Sequence, residues 1–272
     1  MKRTLFIITV IALVCIGCGR EERGKLTKRG KEVHDSWLQN SQEIIQETII
    51  PAFQMDAWIN GNDTIRRMVE DNFFPYMRIR QDFVNVYSLY NGAVKVLSVN
   101  TNGHALADNG AAWEITTYNP TPGYDNGAIP QFMCIPDHWY LTVSKTANQQ
   151  WNIQLDTASC MGSNCDWQLT LPARDTLVYF SQGEYSLAGK GTFKYSGDVF
   201  LRYNIDETLL HEGYLYPWYY GIVSMTANFI DALTQEAALE DIHVKAQYGY
   251  SGEVTITYCN ITETWAYENY LK

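Results

Sequence analysis

A mainly β, antiparallel fold, either a β-sandwich or a barrel-like meander with one or two N-terminal helices, is predicted by three features of the 272-residue sequence. After Pro75 the apolar period changes to two, and roughly a dozen short segments rich in Val, Ile, Thr, Tyr and Trp follow. Their separators are short Asn-, Ser- and Gly-bearing turns with no helical pattern between them, which argues against a parallel α/β sheet. The chain also carries 8 Trp, 19 Tyr and 10 Phe, side chains that pack well on a pleated surface.

The first element is an address rather than part of the fold. Lys2 and Arg3 precede an uncharged stretch from Thr4 to Gly17. As a helix that stretch reaches about 21 Å, short of the ~30 Å of a hydrocarbon core, and it has the form of an export signal. Cys15-Ile16-Gly17-Cys18-Gly19 follows. This run resembles the lipobox of bacterial lipoproteins, with Cys15 where the family usually has Leu. Residues Cys18-Gly19-Arg20-Glu21-Glu22 are similar to the surface signals of Bacteroidota lipoproteins, with Arg20 in place of the more usual Lys. The resemblance to β-rich Bacteroidota-type envelope lipoproteins implies a signal peptide at 1–17, acylation of Cys18 and attachment to the outer membrane by a lipid anchor, on the periplasmic or cell-surface side. It brings no assigned activity.

Residues 18–30 read as a flexible tether and 31–272 as a single β-rich domain, with its helices at about 31–74. Between Cys18 and Glu32 there are six basic and three acidic residues, whereas from Val33 onward there are 12 basic and 27 acidic ones. The formal charge of −10 argues against nucleic acid as a partner. Asp63-Thr64-Ile65, Asp156-Thr157-Ala158 and Asp175-Thr176-Leu177 look like the Asp-(Ser/Thr)-aliphatic O-glycosylation sites of Bacteroidota envelope proteins, which marks Thr64, Thr157 and Thr176 for modification.

Within the domain, Val33, Trp37, Ile44, Ile45, Thr48 and Ile49 share one face at a period of 3.6, and Pro51 is expected to stop that helix. Asp63-Thr64 is expected to cap a second helix through Asn72, ended by Pro75. Phe83–Tyr87 and Val94–Val99 read as paired strands joined through an Asn91-Gly92 type I′ turn. The pattern Tyr-(Asn/Ser)-Gly-x-Val recurs at Tyr90, Tyr195 and Tyr250, the same hairpin chemistry used three times. Further strands are expected around Trp113–Tyr118, Trp139–Ser144, Trp151–Asp156, Trp167–Leu171, Leu177–Phe180, Gly191–Tyr195, Val199–Ile205, Gly221–Phe229, Ile242–Tyr250 and Val254–Cys259. A short helix is expected at Thr234–Glu240.

Removal of Cys15 and acylation of Cys18 leave Cys134, Cys160, Cys165 and Cys259, an even number suited to an oxidising compartment. The expected disulfides are Cys160–Cys165 at a hairpin tip and Cys134–Cys259 across a long loop. Neither a metal site nor a cofactor motif is found, and no catalytic residue can be named. The five histidines are scattered, and His211-Glu212 lacks the second histidine of a zincin. Gly189-Lys190-Gly191-Thr192 lacks the residues of a phosphate loop and reads as a hairpin turn.

The strongest candidate ligand site is aromatic. In an extended chain Tyr214, Tyr216, Trp218 and Tyr220 share one face, either a platform for the apolar faces of sugars or a bulky core. The sequence therefore points to a lipid-anchored, non-catalytic binding or scaffold module of the cell envelope, with a glycan or an envelope protein as partner. The alternative is an envelope hydrolase acting on glycans.

Overall fold

The amino-terminal helices carry the apolar face that organises everything after them. The computed structural model describes residues 27–118, 139–157, 162–171, 184–196, 199–211, 218–230, 239–259 and 261–266. The signal at 1–17, Cys18, Cys134, Cys160, Thr176, Tyr214, Tyr216, the strand expected at Leu177–Phe180 and most of the helix expected at Thr234–Glu240 lie outside the described residues. Leu239 and Glu240 themselves belong to a strand.

The chain is already helical at residue 27, so the expected tether gives way to structure earlier than residue 31. Helix α1 covers 27–42 and continues through a π-helical segment, Glu43–Ile49, into α2 (Ile50–Asn60). Pro51 does not stop the run. A proline lacks the N–H of the helical ladder and crowds the carbonyl four residues earlier, and the wider π turn just before it absorbs both defects. The 3.6-period face is buried as expected: Val33, Trp37, Ile44, Ile45, Thr48 and Ile49 all lose their contact with water.

Helix α3 (Asp63–Phe73) is capped by Asn62, not by Asp63. The Asn62 Oδ1 accepts from the backbone N–H of Thr64 at 3.0 Å and of Ile65 at 3.1 Å. Trp58 fastens α2 to α3: its Nε1 donates to Glu70 Oε1 at 2.8 Å, and Arg66 lies 5.0 Å over its ring.

Thirteen antiparallel strands follow among the described residues, paired strictly in chain order. They are β1 (Met77–Phe83), β2 (Val86–Asn91), β3 (Val94–Asn100), β4 (Ala112–Thr117), β5 (Tyr140–Ala147), β6 (Gln150–Leu155) and β7 (Asn164–Thr170). The remainder are β8 (Tyr185–Ser196), β9 (Val199–His211), β10 (Tyr220–Ile230), β11 (Leu239–Gly249), β12 (Glu253–Tyr258) and β13 (Ile261–Ala266). The meander is thus one sheet. The segment 83–87, read as one strand, is a turn between two: Asn85 takes φ 61, which ends β1 at Phe83 and starts β2 at Val86. The β2–β3 turn is centred on Gly92-Ala93, with Gly92 at φ 59, one residue beyond the expected Asn91-Gly92 pair. All three copies of the Tyr-(Asn/Ser)-Gly-x-Val pattern fall between consecutive strands: β2 and β3, β8 and β9, β11 and β12.

The helical run lies in the hollow of this sheet. A Cβ on Gly30 would run into the ring of Tyr258 on β12, and His34 reaches Tyr248 on β11. Trp37 stands 6.3 Å from Tyr203 on β9, and Phe53 meets Trp151 on β6 edge-on at 5.0 Å. The π segment touches β4, and its Gln46 hydrogen-bonds Tyr185 on β8. Those strands are four ladder steps apart, about 19 Å along a flat sheet. The sheet must therefore curl around the helix. Its inward positions (Trp113, Ile153, Trp167, Leu201, Val244, Ile256) are buried, and its outward ones (Thr142, Asn152, Gln154, Gln168, Thr255, Thr257) are polar. No helix among the described residues is long and apolar enough to cross a membrane.

Chain order fixes which turns share an end of the sheet. Turn 84–85, loop 101–111, turn 148–149, the start of β10 at Tyr220 and turn 250–252 lie at one end. Turn 92–93 and Cys259 lie at the other, and α1 enters there, with Gly30 against Tyr258.

Candidate functional site

Alternation along β9 should place Leu201, Tyr203, Ile205, Glu207, Leu209 and His211 all inward. Five of them are buried and Glu207 is exposed. A bulge is the reason. From Ile205 to Leu209 the chain takes four residue steps, while the paired β8 takes two, from Gly189 to Leu187. Asp206, Glu207 and Thr208 are all turned to solvent. Both flanking strands make room with glycine. Gly189 on β8 has φ +131, and a Cβ there would run into the carbonyl of Asp166. Gly221 on β10 has φ +122, and a Cβ there would sit 2.8 Å from Leu209 Cα and from Thr208 O. Gly189-Lys190-Gly191-Thr192 is accordingly the interior of a strand and not a hairpin turn.

The bulge delivers carboxylates to a group of tyrosines. The Tyr220 hydroxyl donates to Glu207 Oε2 at 3.3 Å. Tyr220 stacks on Tyr250 with centroids 4.9 Å apart and 25° between planes, and Tyr219 meets Tyr250 at 5.4 Å. Tyr250, in the β11–β12 turn, is 69% exposed. The negative charge of Glu207, and then its hydrogen bond, hold the Tyr220 phenol above its ordinary value. Asp206 accepts from Asn204 Nδ2 at 2.7 Å and from the Ser224 hydroxyl. Phe83 and Val84, also exposed, sit at the same end of the sheet.

Of the four residues expected to form one aromatic face, Tyr220 alone belongs to this patch among those described. Trp218 is 1% exposed and lies in the core, its ring 6.4 Å from Trp37 and edge-on to Tyr185 at 5.9 Å. Trp218 precedes β10, outside its alternation, so it enters the core while Tyr220, the first residue of the strand, stays half-buried. The sequence marks Tyr250 only as part of a hairpin pattern, and it marks neither Tyr219 nor Glu207 as a site residue. The signal for Glu207 was present, since a carboxylate at an inward position of an alternating strand demands a bulge.

Other candidate residues are dispersed. Thr64 and Thr157 are both exposed. No disulfide is seen among the described residues, contrary to the expected Cys160–Cys165 and Cys134–Cys259 pairs. Cys165 is not at a hairpin tip but buried inside β7, its Sγ 3.8 Å from the Ile153 carbonyl, and Cys259 is exposed at φ 52. His34 is fully buried, with Nε2 2.8 Å from the Tyr248 hydroxyl, and His211 stacks on Tyr185 at 4.5 Å. Among the described residues no group of three or more His, Cys, Asp or Glu side chains is placed to hold a metal ion.

A second polar cluster spans β1–β3. Asp82 accepts from Ser88 at 2.7 Å, from Tyr90 at 3.0 Å and from Lys95 Nζ at 2.7 Å. Partial burial raises the Asp82 pKa, but those hydrogen bonds outweigh it and hold the carboxyl below its usual range. Each carboxylate contact is satisfied within the cluster, which makes it a cross-strand lock.

The fold and site together define a class: an antiparallel meander wound on a buried helix, with a tyrosine–carboxylate patch at one end. Compared with protein families, curated proteins and solved structures, the chain matches none.

Proposed function

We propose that the protein is a lipid-anchored, non-catalytic binding module of the bacterial cell envelope that takes a glycan on the Tyr219–Tyr220–Tyr250 patch. The observation that carries this reading is the position of the patch. It lies at the end of the sheet opposite the one where α1 enters, so an anchor at Cys18 leaves it facing away from the membrane. The exposed Tyr250 and the half-buried Tyr219 and Tyr220 offer apolar ring surface to the C–H faces of a sugar, and their hydroxyls bond at its edge. The hollow of the sheet supports the same choice. It is filled by Trp37, Ile44, Ile45 and Phe53, which leaves the outer surface for ligand and argues against a small molecule held inside.

Glycan-array binding of the wild-type chain and of Tyr250→Ala tests the reading. A surface sugar contact made by one aromatic ring predicts about a tenfold loss in the variant. Equal binding by both proteins, or none by either, overturns it, and release of reducing ends from bound glycans would instead support hydrolysis. Metabolic labelling with a radioactive fatty acid tests the anchor: label on the wild type and none on Cys18→Ala is expected.

A further inference from the structure

The charge beside the tyrosines narrows what the patch can accept. The bulge turns Asp206 and Glu207 to the same exposed side as Tyr220, and Glu207 lies against the Tyr220 hydroxyl. Asp206 is occupied by Asn204 and Ser224, so its charge is fixed in place, whereas the exposed Glu207 meets, among the described residues, the Tyr220 phenol. Glu253, exposed at the start of β12, adds a third carboxylate next to the turn that carries Tyr250. Lys245, opposite Ser224 in the β10–β11 register, is the nearest cation in that ladder. A carboxylated or sulfated sugar would meet like charge on arrival. A protonated amine would meet a carboxylate at its edge and the negative faces of phenol rings below it.

Resting on the glycan-binding reading of this patch, we infer that its ligand is an amino-sugar glycan bearing free amines, and that Glu207 selects for the charged amine over its acetylated form. The tyrosines hold the sugar ring by its C–H face. Glu207 pairs with the ammonium group, and its link to Tyr220 keeps the carboxylate turned toward the rings.

Calorimetric titration of the full chain with three tetrasaccharides separates the two layers of the argument. The ligands are a glucosamine tetramer, its fully N-acetylated counterpart and a galacturonate tetramer. The proteins are the wild type, Glu207→Gln, Tyr250→Ala and Asp71→Asn, the last a carboxylate removed from the exposed surface of α3. The free amine is expected to bind at least about tenfold more tightly than the acetylated form, a difference of 1.4 kcal/mol. That advantage should vanish in Glu207→Gln and persist in Asp71→Asn, with galacturonate failing to bind. Equal binding of free and acetylated tetramers, or equal losses in Glu207→Gln and Asp71→Asn, overturns the selectivity. The platform reading survives that result if Tyr250→Ala weakens both tetramers. Absence of binding by every tetramer, or an unaffected Tyr250→Ala, overturns the platform and the selectivity together.

Discussion

Two titratable residues, the buried His34 and the half-buried Asp56, tie the amino-terminal helices to the strands and their loops, and they respond to pH in opposite directions. Burial lowers the pKa of His34, partly offset by Asp35, while its Nε2 stays against Tyr248. Below pH 6.5 the unfolded chain takes up the proton that the folded one refuses, so this contribution is lost as pH falls toward the depressed value. Asp56 does the reverse. Burial pushes its carboxyl up to about 6, against hydrogen bonds from Leu106 N and Asn60. Its contribution is fully present below the unfolded value of 3.8 and is lost as pH rises through about 6. Melting curves at pH 7 and pH 5 should therefore show a smaller acid-side loss for His34→Gln and a larger one for Asp56→Asn. Identical pH slopes in both variants and the wild type would contradict the assignment. At the bulge, Gly221→Ala forces a side chain into φ +122 and against Leu209, so a loss of about 1–3 kcal/mol in urea unfolding is expected.

Helices and strands are joined here by a few large side chains. Trp37 packs against Tyr203, Trp218 and Tyr248, aromatic groups from β9, β11 and the residue pair just before β10. Trp37→Ala removes that junction, and a loss of about 3–5 kcal/mol follows from the usual penalty for deleting a buried aromatic. The cap of α3 gives a sharper comparison. Asn62→Ala should cost about 1 kcal/mol by freeing the N–H groups of Thr64 and Ile65, whereas Asp63→Ala removes no capping bond. Equal melting temperatures for the two variants would count against the cap. The π segment, with Pro51 just behind it, explains why one amphipathic face continues across a residue that breaks ordinary helices.

At the scale of the molecule, the helical run packs into the core of the one sheet that the described strands form. The strands carry their inward faces around α1 and α2, which gives the sheet its curvature, and β1 and β13 are not paired with each other among the described residues. Strands that bury their inner faces on a common helix should unfold with it. Urea transitions followed by tryptophan fluorescence and by far-ultraviolet circular dichroism should coincide, and Trp37→Ala should move both midpoints together. Separate transitions would mean that the sheet stands without its helix.

Much of this could be read from residue order. The buried face at Val33, Trp37, Ile44, Ile45, Thr48 and Ile49 follows from helical spacing, and the strand positions follow from alternation, because both patterns arise from the local geometry of the backbone. The Cys15–Gly19 run that resembles a lipobox is likewise a local pattern of residues, and acylation at Cys18 rests on that resemblance alone. The patch is different. Tyr220 and Glu207 come together with Tyr250 across β9, β10 and the β11–β12 turn, and only because a bulge flanked by two glycines interrupts the alternation that would have sent Glu207 inward. Local sequence determined the elements and their faces; the packing of neighbouring strands around the bulge decided which aromatic rings meet water.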